Sequence, residues 1–134
     1  MAGTFKFELV SPERILLSDE AEEAILPGAE GQFTVLVGHA PVVSTLLPGV
    51  IHVKLATAST KGIYIDGGFV EVNPQSVTVL AEHAFIVDEA DQRQLEDALG
   101  KAETALGEAK DDEALRHLTC AIDQLKGLQR KKAA

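Results

Sequence analysis

Apolar and polar positions along the chain follow one rule as far as about residue 87 and another beyond it. In Thr4–Val10, Phe5, Phe7 and Leu9 alternate with Lys6 and Glu8, the period-2 pattern of a half-buried strand. Ser11-Pro12 ends that run, and Arg14–Ser18 and Glu22–Leu26 follow as short strands before Pro27-Gly28. Gln32–Val37 is rich in β-branched and aromatic residues, and in Val50–Leu55 the residues Ile51, Val53 and Leu55 share one face opposite His52 and Lys54. Ile63–Ile65, Phe69–Val72 and Val77–Leu80 read as further short strands, separated by Asp66-Gly67-Gly68 and Asn73-Pro74. So many short strands with Gly/Pro punctuation predict a sandwich or flattened barrel, not a parallel sheet with crossover helices.

Beyond Val87 the period changes. Leu95, Leu99, Ala102 and Leu106, then Leu115, Leu118, Ile122 and Leu125, recur at three- and four-residue spacing and form two narrow apolar stripes of helical period. Asp88 and Asp112 are the expected N-caps, and the Asp111-Asp112-Glu113 run puts negative charge at the start of the second helix. The short connection at Gly107–Asp111 predicts an antiparallel hairpin. Composition sharpens the boundary. All five Phe, the one Tyr and all five Pro precede Asp88, whereas residues 88–134 carry 11 acidic and 8 basic side chains. The expected organisation is a sandwich over residues 1–87 and a helical hairpin over 88–134.

Charge and candidate chemistry mostly exclude. The net charge of −9 argues against nucleic acid as the main partner, since phosphate contacts need a basic surface. Gly31–Val53 holds no Asp, Glu, Lys or Arg, yet Gly38, Pro41, Pro48 and Gly49 interrupt it, so strands and turns explain it better than a membrane span. The start MAGTFKFELV has no basic segment leading into an apolar one, so no signal peptide is expected. His39, His52, His83 and His117 fall in no metal-ligand spacing, and the lone Cys120 has no CxxC partner, so no metal and no cofactor are expected. No GxSxG or phosphate-loop ending occurs, and no catalytic residue is assigned.

Four blocks occur in order: FELVSPER at the start, the PGxEGxF…GHAP pattern over Pro27–Pro41, LLPGV ending at Val50, and GGFVEV…VTVLA over Gly67–Ala81. With the two-helix tail they cover essentially the whole chain, which resembles the epsilon subunit family of F-type ATP synthase (delta in mitochondrial naming). The resemblance implies a flattened β-sandwich of about ten short strands followed by a C-terminal antiparallel two-helix hairpin. It implies a non-catalytic place on the central stalk, bound to the gamma subunit, resting on the c-ring and meeting the catalytic alpha/beta hexamer transiently. The chain would then lie peripheral to a bacterial inner membrane on its cytoplasmic face and couple ring rotation to ATP synthesis.

Residue by residue, the resemblance puts Glu30, Gly31 and Gln32 in a c-ring-facing loop, with Gln32 where many relatives have a carboxylate. Ser11, His39, Ala40 and Pro41 become gamma contacts. Arg116, Lys126, Arg130, Lys131 and Lys132 give the hairpin a basic end suited to a regulatory contact that restrains ATP hydrolysis. ATP-binding relatives show apolar-Asp-x-x-Arg-Ala at the start of the first helix. Here Val87-Asp88-Glu89-Ala90-Asp91-Gln92 puts Asp91 in place of the arginine, so phosphate meets a like charge. Two other functions stay open on sequence alone: a stand-alone β-sandwich binding module, which needs a concave apolar pocket, and a small hydrolase, which needs converging titratable groups.

Overall fold

A computed structural model describes residues 3–133, with side chains placed through Lys131. The chain divides into two compact units, Met1–Asp88 and Glu89–Ala134.

Seven strands build the first unit: β1 (Phe5–Val10), β2 (Ile15–Gly28), β3 (Gly31–Leu36), β4 (Val42–Leu55), β5 (Thr60–Asn73), β6 (Ser76–Leu80) and β7 (Ala84–Ile86). β1 pairs parallel to β6, and the remaining pairings are antiparallel. Three strands are 14 residues long; β2 and β5 each span two segments that the sequence pattern separates, and β4 extends the expected Val50–Leu55 strand back to Val42. The pairings sort into two layers of five segments. One runs β3, the second half of β2, the second half of β4, the first half of β5, and β7. The other runs the first half of β4, the second half of β5, β6, β1, and the first half of β2. The ten short strands expected from the resemblance are these ten segments, carried by seven continuous strands.

The physical reason lies in the side-chain phase. In β2 the buried position is Ala21 before a bulge at Glu22, and Ala24 and Leu26 after it, a shift from odd to even numbering. β4 buries Leu46 and then, past Pro48-Gly49, Ile51, Val53 and Leu55. β5 buries Ile63 and Ile65 and then, past Gly67-Gly68, Val70 and Val72. Each long strand passes from one layer to the other where a bulge, proline or glycine resets the alternation, so pairing continues while the pattern breaks. Gly68 cannot be replaced cheaply at such a crossing. Its φ is +148°, and a Cβ there would lie 2.2 Å from the Leu80 carbonyl oxygen.

The core fills the space between the layers. Phe5, Phe7 and Leu9 of β1, Val77 and Val79 of β6, and the inward residues of the three long strands are all but inaccessible to solvent. Fully burying such a side chain contributes about 1.5–3 kcal/mol. Gly31–Val53 forms β3 and most of β4, as its turn residues require, and among the described residues no helix is long and apolar enough to cross a membrane.

The second unit holds α1 (Gln92–Glu108) and α2 (Asp112–Ala133), which pack as an antiparallel hairpin across a three-residue connection. Both caps differ from the sequence expectation. Asp88 lies in a 3-10 turn, Val87–Glu89, and Asp91 caps α1 instead. Its carboxylate accepts from the Gln94 backbone N–H at 2.9 Å while the Gln94 side chain accepts from the Asp91 N–H at 3.2 Å, a reciprocal capping box. Asp111, not Asp112, caps α2, its Oδ1 accepting from the Ala114 N–H at 2.7 Å. The α2 stripe also shifts: Leu115 is exposed, whereas Ala121 and Leu128 are buried with Ile122 and Leu125.

Candidate functional site

The second layer turns one face to the core and the other to solvent, and its outward face departs from the polar pattern expected there. Register aligns Thr45, Phe69, Leu80, Val10 and Ile15 in a single cross-strand row. Phe69 is 55% exposed, Leu80 49% and Ile15 58%, with Val10 half-buried between the last two. Val43 on the next row and Leu47 at the β4 crossing add further exposed apolar surface. Isolated exposed apolar residues are ordinary, but a continuous row across four strands marks an interaction surface. Phe69 and Leu80 sit directly opposite one another, an aromatic–aliphatic pair of the kind that anchors interfaces.

The sandwich residues singled out by the resemblance lie around this face. Ser11 follows Val10 in a tight turn, its N–H donating to the Arg14 carbonyl at 2.9 Å and its Oγ accepting from the Arg14 N–H at 3.3 Å. Glu30 is exposed in the Ala29-Glu30 turn that joins β2 to β3, Gly31 supplies φ +132°, and Gln32 pairs with Pro27. The Ala29 N–H donates to the Thr45 carbonyl at 3.0 Å, which sets this turn beside the apolar row. Ser11 and Glu30 therefore share one end of the layer.

His39, Ala40 and Pro41 lie at the other end, before Val42. There the Gly38 N–H donates to the Pro74 carbonyl at 2.7 Å and His39 Nδ1 donates to the Ala40 carbonyl at 2.7 Å. Ser11 and His39–Pro41 do not meet; they bracket the exposed face. Sequence reading missed Ile15, Val43, Phe69 and Leu80 as site residues. The readable signal was an apolar residue on the polar phase of an alternating strand, as at Phe69 in Phe69-Val70-Glu71-Val72.

On the hairpin, Arg116, Lys126, Arg130 and Lys131 are exposed, and the side chain of Lys132 lies outside the described residues. Asp91, which the resemblance aligns with the arginine of ATP-binding relatives, is engaged in capping the first turn of α1. Burial, aided by the neighbouring Asp123 carboxylate, pushes the Cys120 thiol up from its ordinary value, which disfavours the reactive thiolate.

Comparison with known proteins fits this geometry. Residues 4–87 match the family described as ATP synthase, Delta/Epsilon chain, beta-sandwich domain. Over 129 residues the chain is 43% identical to the ATP synthase epsilon chains of Brucella canis and Brucella suis, spanning 96% of this chain and 96% of those proteins. Among solved structures, it is similar to a chain of the Euglena gracilis mitochondrial ATP synthase assembly of OSCP, F1 and c-ring. The TM-score is 0.70 at 23% identity, covering 96% of this chain and 81% of that one. A chain of the Tetrahymena thermophila mitochondrial ATP synthase central stalk and c-ring gives 0.68 at 13% identity, with 96% and 98% covered. At those identities the structural matches establish the fold.

Proposed function

From the premise that this chain belongs to the ATP synthase delta/epsilon family, we propose that it is the non-catalytic central-stalk subunit, bound to gamma and resting on the c-ring. As a subunit of that enzyme complex it is peripheral to the membrane through its partners, on the cytoplasmic face of a bacterial inner membrane. The observation that carries the reading is the exposed row of Phe69, Leu80, Val10 and Ile15 on the outer face of the second layer. A rotor element transmits torque only if it is clamped to its neighbours, and an apolar sheet face with an aromatic anchor provides adhesion that does not depend on one hydrogen bond.

In this arrangement gamma covers the face between Ser11 and His39–Pro41. The Glu30–Gln32 turn, next to the same row, addresses the ring loops. Gln32 can hydrogen-bond a basic loop but brings no charge to it, so Glu30 carries the electrostatic share. The hairpin is the regulatory part. Its exposed Arg116, Lys126, Arg130 and Lys131, continued by Lys132, meet acidic surface on the catalytic hexamer when the helices extend, and restrain hydrolysis.

The test is binding of the full-length chain to purified gamma by calorimetry, with Phe69→Ser and Leu80→Ser compared against His52→Ser on the outward face of the other layer. Binding weakened at least tenfold by each of the first two and unchanged by the third supports the reading. Equal binding by all three sinks it.

A further inference from the structure

The turn that carries Glu30 is anchored from two directions. Among the described residues β3 pairs with β2 alone, so the β2–β3 hairpin stands at the margin of its layer. The end of a hairpin at such a margin has few neighbours and is ordinarily its most compliant part. Here the inner side of that end is filled. Leu26 and Gly28 of β2 are buried, Phe33 sits opposite Leu26 and packs on the core, and Gly28 lies opposite Gly31. The Phe33 ring reaches over Gly28: a Cβ there would lie 2.9 Å from two ring carbons and 2.7 Å from the Gly31 carbonyl oxygen. Gly28 is glycine for space, which lets ring and backbone close on the start of the turn.

The second anchor is a hydrogen bond to the other layer. Register between β2 and β4 breaks between Ile25 and Gly28 and resumes at the pair Gly28–Leu46. On the turn side of that pair, the Ala29 N–H donates to the Thr45 carbonyl at 3.0 Å, and Ser44 Oγ donates to the same oxygen at 2.9 Å. Both lone pairs of the carbonyl are thereby engaged. Thr45 belongs to the first half of β4 and lies directly opposite Phe69. The Glu30 turn of the first layer is thus bonded to a residue paired with the apolar row of the second. We propose that the Ala29–Thr45 bond is a positioning contact that holds the Glu30 turn stiff against that row, so that force on the turn passes into the second layer instead of bending the hairpin. This rests on the reading above, in which the turn addresses the ring and the row faces gamma, and it specifies how torque crosses the subunit.

The experiment has two parts, both on the full-length chain. Amide exchange and NMR relaxation read the turn itself. In the wild type the Ala29 amide should exchange about 100-fold more slowly than an open turn amide. Glu30 and Gly31 should show order parameters near those of rigid backbone, about 0.85. Ala29→Pro removes the donor. Ala29 already has negative φ and holds the first central position of the turn, where proline is favoured, and Thr45 keeps its Ser44 donor, so the fold should survive. The order parameters at Glu30 and Gly31 should then fall below about 0.6. Ala29→Ser keeps the N–H and should match the wild type. The second part counts protons pumped per ATP hydrolysed in vesicles rebuilt from membrane sector, catalytic hexamer, gamma and each variant. Ala29→Pro should bind gamma as tightly as the wild type yet pump about threefold fewer protons per ATP, while Ala29→Ser pumps normally. An Ala29→Pro chain that pumps like the wild type overturns the positioning role and leaves the gamma and ring contacts standing. So does a wild-type Ala29 amide that exchanges at the open-turn rate, a result that holds even if Ala29→Pro melts early. A wild-type chain that restores no pumping overturns the functional reading itself.

Discussion

Replacing Gly68 with alanine tests the crossing geometry on which the sandwich depends. Gly68 lies where β5 passes between layers, paired with Leu46 on one side and followed by the Phe69–Leu80 pair on the other. Its φ of +148° is a conformation that L-residues rarely adopt, and holding alanine there costs about 1–3 kcal/mol. The added Cβ would also sit 2.2 Å from the Leu80 carbonyl oxygen and 3.2 Å from the Ala81 Cα, both backbone atoms. Relief requires moving the end of β6 by about 1 Å, against the Ala81 N–H bond to the Val10 carbonyl at 3.0 Å. Such overpacking costs a further 1–3 kcal/mol, roughly. The sum, about 2–6 kcal/mol, is a large share of a typical domain stability of about 5–15 kcal/mol. For a unit of this size, about 4–8 °C is lost per kcal/mol, so the melting temperature of the sandwich should drop by about 15–30 °C at the middle of that range. Calorimetry of Gly68→Ala beside Gly100→Ala reads it directly. Nothing lies within 4 Å of the Cβ position at Gly100, in the middle of α1, and alanine there should stabilise by about 0.5–1 kcal/mol. A Gly68→Ala melt within about 4 °C of wild type would refute the reasoning.

Three further outcomes are expected. Asp91→Ala removes one half of the capping box and should destabilise the helical unit by about 1 kcal/mol in urea melts followed at 222 nm, with the sandwich signal unchanged; an unchanged helical transition counts against the cap. Isothermal titration of the isolated chain with ATP should show negligible heat at cellular nucleotide concentrations, because Asp91 stands where the resemblance puts the arginine of ATP-binding relatives, and micromolar affinity would contradict this. A chain of residues 1–87 should unfold cooperatively with a β-type circular dichroism spectrum and still bind gamma, since the aromatic core lies within it; an unfolded spectrum would refute this.

What the sequence made legible was local alternation with one face buried throughout, as in Phe5-Phe7-Leu9 and Ile51-Val53-Leu55, both of which lie in the core. The continuity of β2, β4 and β5 was not legible. Glu22, Pro48-Gly49 and Gly67-Gly68 break the alternation and look like strand ends, yet they are bends in strands that keep their pairing. The α1 cap was readable from Asp91-x-x-Gln94 but was masked by Asp88, which stands beside the last apolar residue and enters a 3-10 turn. The interaction face was the least legible part. Val10, Ile15, Phe69 and Leu80 are scattered over 71 positions and become neighbours only through the register of four strands. Ser11 and His39–Pro41 were grouped by resemblance, and the fold puts them at opposite ends of one layer, with that face between them.

Under the proposed function this chain couples rotation and itself catalyses nothing. ATP-driven proton uptake into vesicles carrying the membrane sector, recombined with catalytic hexamer and gamma, tests it most directly. Without the chain, ATP should be hydrolysed but no proton gradient should form. Adding the full-length chain restores pumping, and adding Phe69→Ser does so only at much higher concentration. Pumping that is equally strong with and without the chain would contradict it.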